Sequence, residues 1–116
     1  MTAYFEKHQK KLHTFLERWK GGKARLWEFT VSHRRLTIRI EKEGQPGNLH
    51  IYCGDLEHLH GPTAWDNCCF EVNHRPGGGF VLRDRSADFS AESEGLDVVE
   101  NCKPIYSLHD TVGKLA

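Results

Sequence analysis

Residues 26–40 read Leu-Trp-Glu-Phe-Thr-Val-Ser-His-Arg-Arg-Leu-Thr-Ile-Arg-Ile, and their alternation decides the fold class. Trp27, Phe29 and Val31 occupy every second position. After the polar run Ser32-His33-Arg34-Arg35, Leu36, Ile38 and Ile40 do the same. Period two is the repeat of a strand with one buried face. A hairpin pairing Val31 with Leu36, Phe29 with Ile38 and Trp27 with Ile40 gathers these side chains on one face. It sets Glu28 opposite Arg39 and Thr30 opposite Thr37 on the other. A slip of one residue would turn the whole apolar set to water, so the pattern specifies this register.

Continuing the same phase predicts a second hairpin, closed by a loop built on a type II turn at Pro46-Gly47. Its register places Ile40 opposite Cys53 and Gly44 opposite Leu49, with Leu49, Ile51 and Cys53 inward, and Glu43 opposite His50 and Glu41 opposite Tyr52 outside. Upstream, Tyr4, Phe5, His8, Leu12, Phe15, Leu16 and Trp19 recur at three- and four-residue steps. That spacing predicts an amphipathic helix over 3–20, with Thr2 as N-cap and Gly21-Gly22 as the stop. Such a helix must bury its stripe against the sheet.

Downstream the pattern is coarser. Gly54-Asp55 reads as a bend, residues 56–60 as a short strand, and Gly61-Pro62 as its end. Strands follow over 68–72, with Phe70 and Val72 inward, over 80–83, over 88–93 and, after a turn at Ser93-Glu94-Gly95, over 96–99. The loop 73–79 holds Gly77-Gly78-Gly79, and Pro104 ends the last element. The fold expected is therefore α+β. An N-terminal amphipathic helix (3–20) packs on a strongly curved antiparallel meander sheet of six or seven strands (25–101), followed by a C-terminal tail (102–116).

Composition fits one ordinary domain. The chain has 116 residues, 38% hydrophobic and 28% charged, which is neither disordered nor fibrous. No stretch approaches the roughly 18–20 apolar residues of a membrane span, and no secretory h-region is evident, so a cytoplasmic location without disulfides is expected. Net charge is zero, but it is unevenly spread. Residues 1–42 hold eleven Lys/Arg against four Asp/Glu, and residues 43–116 hold five against twelve. Either the basic stretch packs beside the acidic one, the reading we prefer, or the asymmetry steers a partner.

The chemistry-bearing residues are scattered. His58-Leu59-His60 offers two imidazoles on one side of a strand, half of a metal site, with Cys69, His50 or Asp66 as a third ligand. The spacing lacks a C-x₂-C pair, and Cys53 and Cys68 fall on the inward phase, so no metal or other cofactor is assigned. No activated nucleophile or acid/base pair can be assembled, and Asp84, Asp88, Glu92 and Glu94 read as a solvated acidic strand surface. Hence no catalytic residues are named. Lys7, Lys10, Lys11, Arg18, Lys20 and Lys23 with Arg34-Arg35 make the nucleic-acid reading, which ranks below protein binding because the pI is near neutral and only Tyr52 stands ready to stack. Trp65, in the Gly- and His-rich stretch 54–66, is either a recognition residue or a plug for one open end of the sheet.

The sequence thus points to a small non-catalytic protein-interaction module of the adaptor or bacterial immunity kind. Its partner is another protein, met through Lys7, Lys11, Arg18, His58, His60, Trp65 and Asp66. A homo-oligomer is compatible with it, and a membrane is not its partner. A metal-dependent protein centred on His58 and His60 is the first rival, and nucleic-acid binding through the basic helix is the second.

Overall fold

The structure is a computed structural model that describes residues 2–101, with side chains from residue 6 onward. The expected N-cap Thr2, the stripe residues Tyr4 and Phe5, and the tail 102–116 with Pro104 therefore lie outside the described side chains and residues. One helix, α1 (Thr2–Arg18), precedes seven strands: β1 (Lys23–Thr30), β2 (Arg35–Lys42), β3 (Gln45–His60), β4 (Ala64–Trp65), β5 (Glu71–His74), β6 (Phe80–Asp84) and β7 (Phe89–Glu100). All pair antiparallel in one curled sheet, a half-barrel of order β4-β1-β2-β3-β7-β6-β5 with the helix packed on it.

Leu12 and Leu16 of α1 and Trp19 just beyond it are buried, whereas Lys10, His13, Thr14 and Glu17 are exposed. The helix ends at Arg18, two residues short of the expected span 3–20. Gly21 then donates its N–H to the Cys68 carbonyl at 2.7 Å. Gly22 lies where a Cβ would come within 2.7 Å of the Glu41 carbonyl oxygen, so only glycine lets the chain turn this tightly into β1.

The core-facing phase of β2 and β3 is as expected: Leu36, Ile38, Ile40, Leu49, Ile51 and Cys53 are all at most 2% exposed. The registers differ. Leu36 faces Cys53, Ile38 faces Ile51 and Ile40 faces Leu49, a shift of four residues from the expected hairpin. The cause is the turn. Glu43-Gly44 closes a two-residue loop between Lys42 and Gln45, with Gly44 at φ 80°, and Pro46-Gly47 becomes the first part of β3. A tight hairpin of this kind matches strand twist better than the longer loop expected. Arg39 consequently faces His50, and Thr37 faces Tyr52.

The first hairpin departs further. A bulge between Leu26 and Glu28 interrupts the alternation, so Ala24, Leu26 and Phe29 face Ile40, Ile38 and Leu36. Arg39 faces Arg25, Glu28 faces Thr37, and Thr30 faces Arg35. Trp27, the residue taken up by the bulge, sits with its ring 4.6 Å from the Arg39 guanidinium on the other face. The bulge lets both Leu26 and Phe29 address the core side, which strict alternation cannot do. Val31 begins a 3₁₀ turn (Val31–His33), is 77% exposed, and is not part of the core.

The sheet is not one meander. β1-β2-β3 and β5-β6-β7 are each meanders, joined by the long β3–β7 pairing. After His60, Gly61-Pro62 carries the chain across the open end to add β4 beside β1, where Trp65 pairs with Ala24. The expected bend at Gly54-Asp55 is a kink inside β3, with Asp55 at φ 52°, and the expected turn at Ser93-Glu94-Gly95 lies inside β7. There the buried phase steps from Phe89, Ala91 and Ser93 to Leu96 and Val98. Cys68 to Phe70 form no strand, although Phe70 and Val72 are buried as expected.

Candidate functional site

The two halves of the sheet leave an open mouth. β2 starts at Arg35, but β3 runs on to His60, so residues 57–60 overhang the tip of the first hairpin. β7 pairs with one edge of this overhang. On the other edge the Arg34 carbonyl accepts the Leu56 N–H at 2.8 Å, and beyond that no strand among the described residues pairs with it. An unpaired edge is a template for another extended chain.

Beside that edge lies a groove of about 370 Å³ lined by Leu26, Phe29, Leu36, Leu56 and Leu59, with Trp27 and Glu28 at its border. Phe29 is 47% and Leu59 44% exposed, and Val31 stands at the hairpin tip. On the overhang and kink Arg34 pairs with Asp55 at 3.8 Å and Arg75 with Glu57 at 2.6 Å, and His60 shares a hydrogen bond with Asp88 at 3.1 Å. Beside these contacts the mouth presents apolar surface, unpaired backbone and the exposed Glu28 carboxylate.

The residues singled out from sequence occupy separate places. Lys11 donates to Asp97 at 3.0 Å and Arg18 to Glu100 at 2.7 Å, so these cations cross to the acidic second part of the chain. Lys7 is exposed. Lys23 pairs with Asp66 at 3.8 Å, and Asp66 is exposed next to β4. These contacts are the packing of basic against acidic stretches that the charge split suggests. His58 and His60 lie on the overhang, facing Glu92 and Ser90. Among the described residues, no three or more His, Cys, Asp or Glu side chains are grouped to hold one ion.

Trp65 packs against Phe70 and Phe89, with centroids 5.6 and 4.8 Å away, and donates its indole N–H to Asp84 at 2.7 Å. Asp84 is 0% exposed, which overturns its reading as solvated surface. Burial alone would raise its pKa, but bonds from the Ser86 hydroxyl and N–H, the Cys69 N–H and the Trp65 indole outweigh that and hold it below the ordinary carboxylate value. Three N–H groups and a hydroxyl around one carboxylate form a latch joining β4, the 66–70 loop and β6. Burial pushes the Cys53 thiol up to about 12 and, with Asp84, the Cys68 thiol to about 11, so neither is a thiolate nucleophile near neutral pH.

The face opposite the core carries a ladder that the sequence hid. Arg39 donates to Glu41 through Nε and Nη2, at 3.1 and 2.9 Å, and lies over Trp27. His50 sits 3.3 Å from Arg39 Nη1 through Nε2 and 3.3 Å from the Tyr52 hydroxyl through Nδ1. Arg35 covers the Tyr52 ring. Since Arg39 can only donate, His50 Nε2 must accept and the ring is neutral. Burial first, and Arg39 second, lower its pKa, while Glu28 pulls the other way.

Comparison with protein families, curated proteins and solved structures finds no match to this chain.

Proposed function

We propose that this chain is a small non-catalytic protein-interaction module whose binding site is the mouth of the half-barrel. Its occupant is an extended segment of a partner protein that adds a strand to residues 57–60 of β3. The observation that carries the reading is the juxtaposition of an unpaired strand edge with the exposed Phe29 and Leu59 around one apolar groove. Main-chain bonds to an edge supply affinity, and alternate side chains entering a groove supply specificity. With Arg34 and Arg75 paired inside the chain and the Glu28 carboxylate exposed at the groove border, the rim disfavours an acidic segment, and the groove favours apolar residues at every second position. The assignment moves the contact away from Lys7, Lys11, Arg18, Trp65 and Asp66, and keeps His58 and His60 as flanking residues of the docking edge. Binding from within the cytoplasm and a role of the adaptor or immunity kind go with this reading.

Selection from a library of random neutral peptides tests it. Peptides enriched on the parent protein should share apolar residues at alternate positions and should lose about tenfold or more affinity for Leu59→Asp. Enriched peptides without that alternation, or with equal affinity for Leu59→Asp, would contradict it.

A further inference from the structure

Gly54 and Gly95 face each other directly across the β3–β7 ladder, in mid-strand. Glycine weakens a strand interior, and two situations usually explain it there: a positive φ, or a backbone approached too closely for a Cβ. Neither applies. Both residues lie outside the positive-φ glycines, and a Cβ built on either meets nothing within 4 Å. Neither a positive φ nor a crowded backbone therefore requires glycine at these two positions, which stand beside the β3 kink at Asp55 and at the step in the buried phase of β7.

Above the pair opens a cavity of about 420 Å³ whose walls are His8, Arg35, Tyr52, Phe80, Leu96 and Asp97. That volume is within the range of small-molecule sites. The linings differ in what they still offer. Asp97 is engaged by Lys11 at 3.0 Å and by His8 at 3.6 Å. The Arg35 guanidinium lies 4.9 Å from the Tyr52 ring centroid, is exposed, and has no carboxylate within ion-pair distance among the described residues. Tyr52 and Phe80 are half-buried rings, and Leu96 is buried at 4% exposure. The cavity therefore has a bare backbone floor, two aromatic walls, one cation with its donors available and one anion already neutralised.

We propose that this cavity binds a small planar aromatic anion. Its ring lies on the Gly54–Gly95 backbone between Tyr52 and Phe80, and its carboxylate takes the fork of Arg35. A side-chain-free floor admits a flat ring to van der Waals contact with the peptide planes, which any Cβ would prevent. The guanidinium, stacked on Tyr52 and so held in place, matches a carboxylate in two-point geometry. This inference is independent of the docking mouth.

The test uses the full chain and three probes: 2-naphthoate, the uncharged 2-naphthalenemethanol, and the non-planar anion cyclohexanecarboxylate. Binding is followed by amide NMR shifts. The expected result is saturable shifts at Gly54, Gly95 and Tyr52 with 2-naphthoate, and at least about tenfold weaker binding of the other two probes. Gly54→Ala and Gly95→Ala should melt no lower than the parent and lose about tenfold or more of the affinity. Arg35→Gln should erase the preference for naphthoate over its alcohol. The proposal is overturned by the absence of saturable shifts at these residues up to about 10 mM probe. Unchanged binding in the two alanine variants would also overturn it. So would a marked fall in their melting temperature, because the fold itself would then require the glycines.

Discussion

The Trp65 indole donates to the fully buried carboxylate of Asp84 at 2.7 Å, tying the two-residue edge strand β4 to the end of β6. The same carboxylate holds Cys69 and Ser86. Removing it deprives four donors, three N–H groups and a hydroxyl, of their acceptor at once. Asp84→Ala should cost about 3–5 kcal/mol in chemical denaturation, in the range of broken buried networks. Asp84→Asn, which keeps acceptor capacity at one oxygen, should cost less.

Acid should reveal the same latch. The folded-state pKa of Asp84 lies below its ordinary value of 3.8. Its contribution is therefore present above about pH 4 and is lost as pH falls through the folded value. In Asp84→Asn the part of the acid-induced loss below about pH 4 that belongs to this group should vanish.

His50 acts in a higher pH window and through its neutral form. Its folded pKa is lowered from 6.5 by burial and by Arg39, with Glu28 opposing and Tyr52 and Trp27 packed against it. The unfolded chain takes up the proton first as pH falls, so stability should decline from about pH 6.5 downward until the folded pKa is passed. His50→Gln, which keeps a neutral acceptor for Arg39, should lack this decline in melting temperature against pH.

Phe29→Ala should lower stability by under about 1 kcal/mol, because the ring is half in solvent. Ile51→Ala, at 0% exposure between Ile38 and Val98, should cost about 2–5 kcal/mol. Urea titrations of the two variants compare them directly.

The sequence made the sheet, its antiparallel sense and the buried phase of Leu36 to Cys53 legible, because period two along two strands admits only one solution. It hid the register of both hairpins. The bulge at Trp27 depends on a cation–π partner, Arg39, that comes from the next strand. The short turn at Gly44 competes locally with the more conspicuous Pro46-Gly47. Joining two meanders through β3 and β7 is a long-range choice that no window of residues contains. The mouth was illegible for a related reason: Phe29 and Leu59 carry ordinary core signatures, and only the overhang of β3 leaves them exposed. Asp84 looked like one more surface acid because its donors lie on the 66–70 loop, on β4 and beyond β6.

Hydrogen exchange is the sharpest test of the mouth as a strand-accepting site. With a neutral peptide of alternating apolar residues bound, amides of residues 57–60 should gain protection, while those of α1 and of β5 should not change. The double variant Phe29→Asp/Leu59→Asp should abolish that gain with its fold intact. Protection confined to α1 or β5, or a gain at 57–60 that survives the double substitution, would contradict the account.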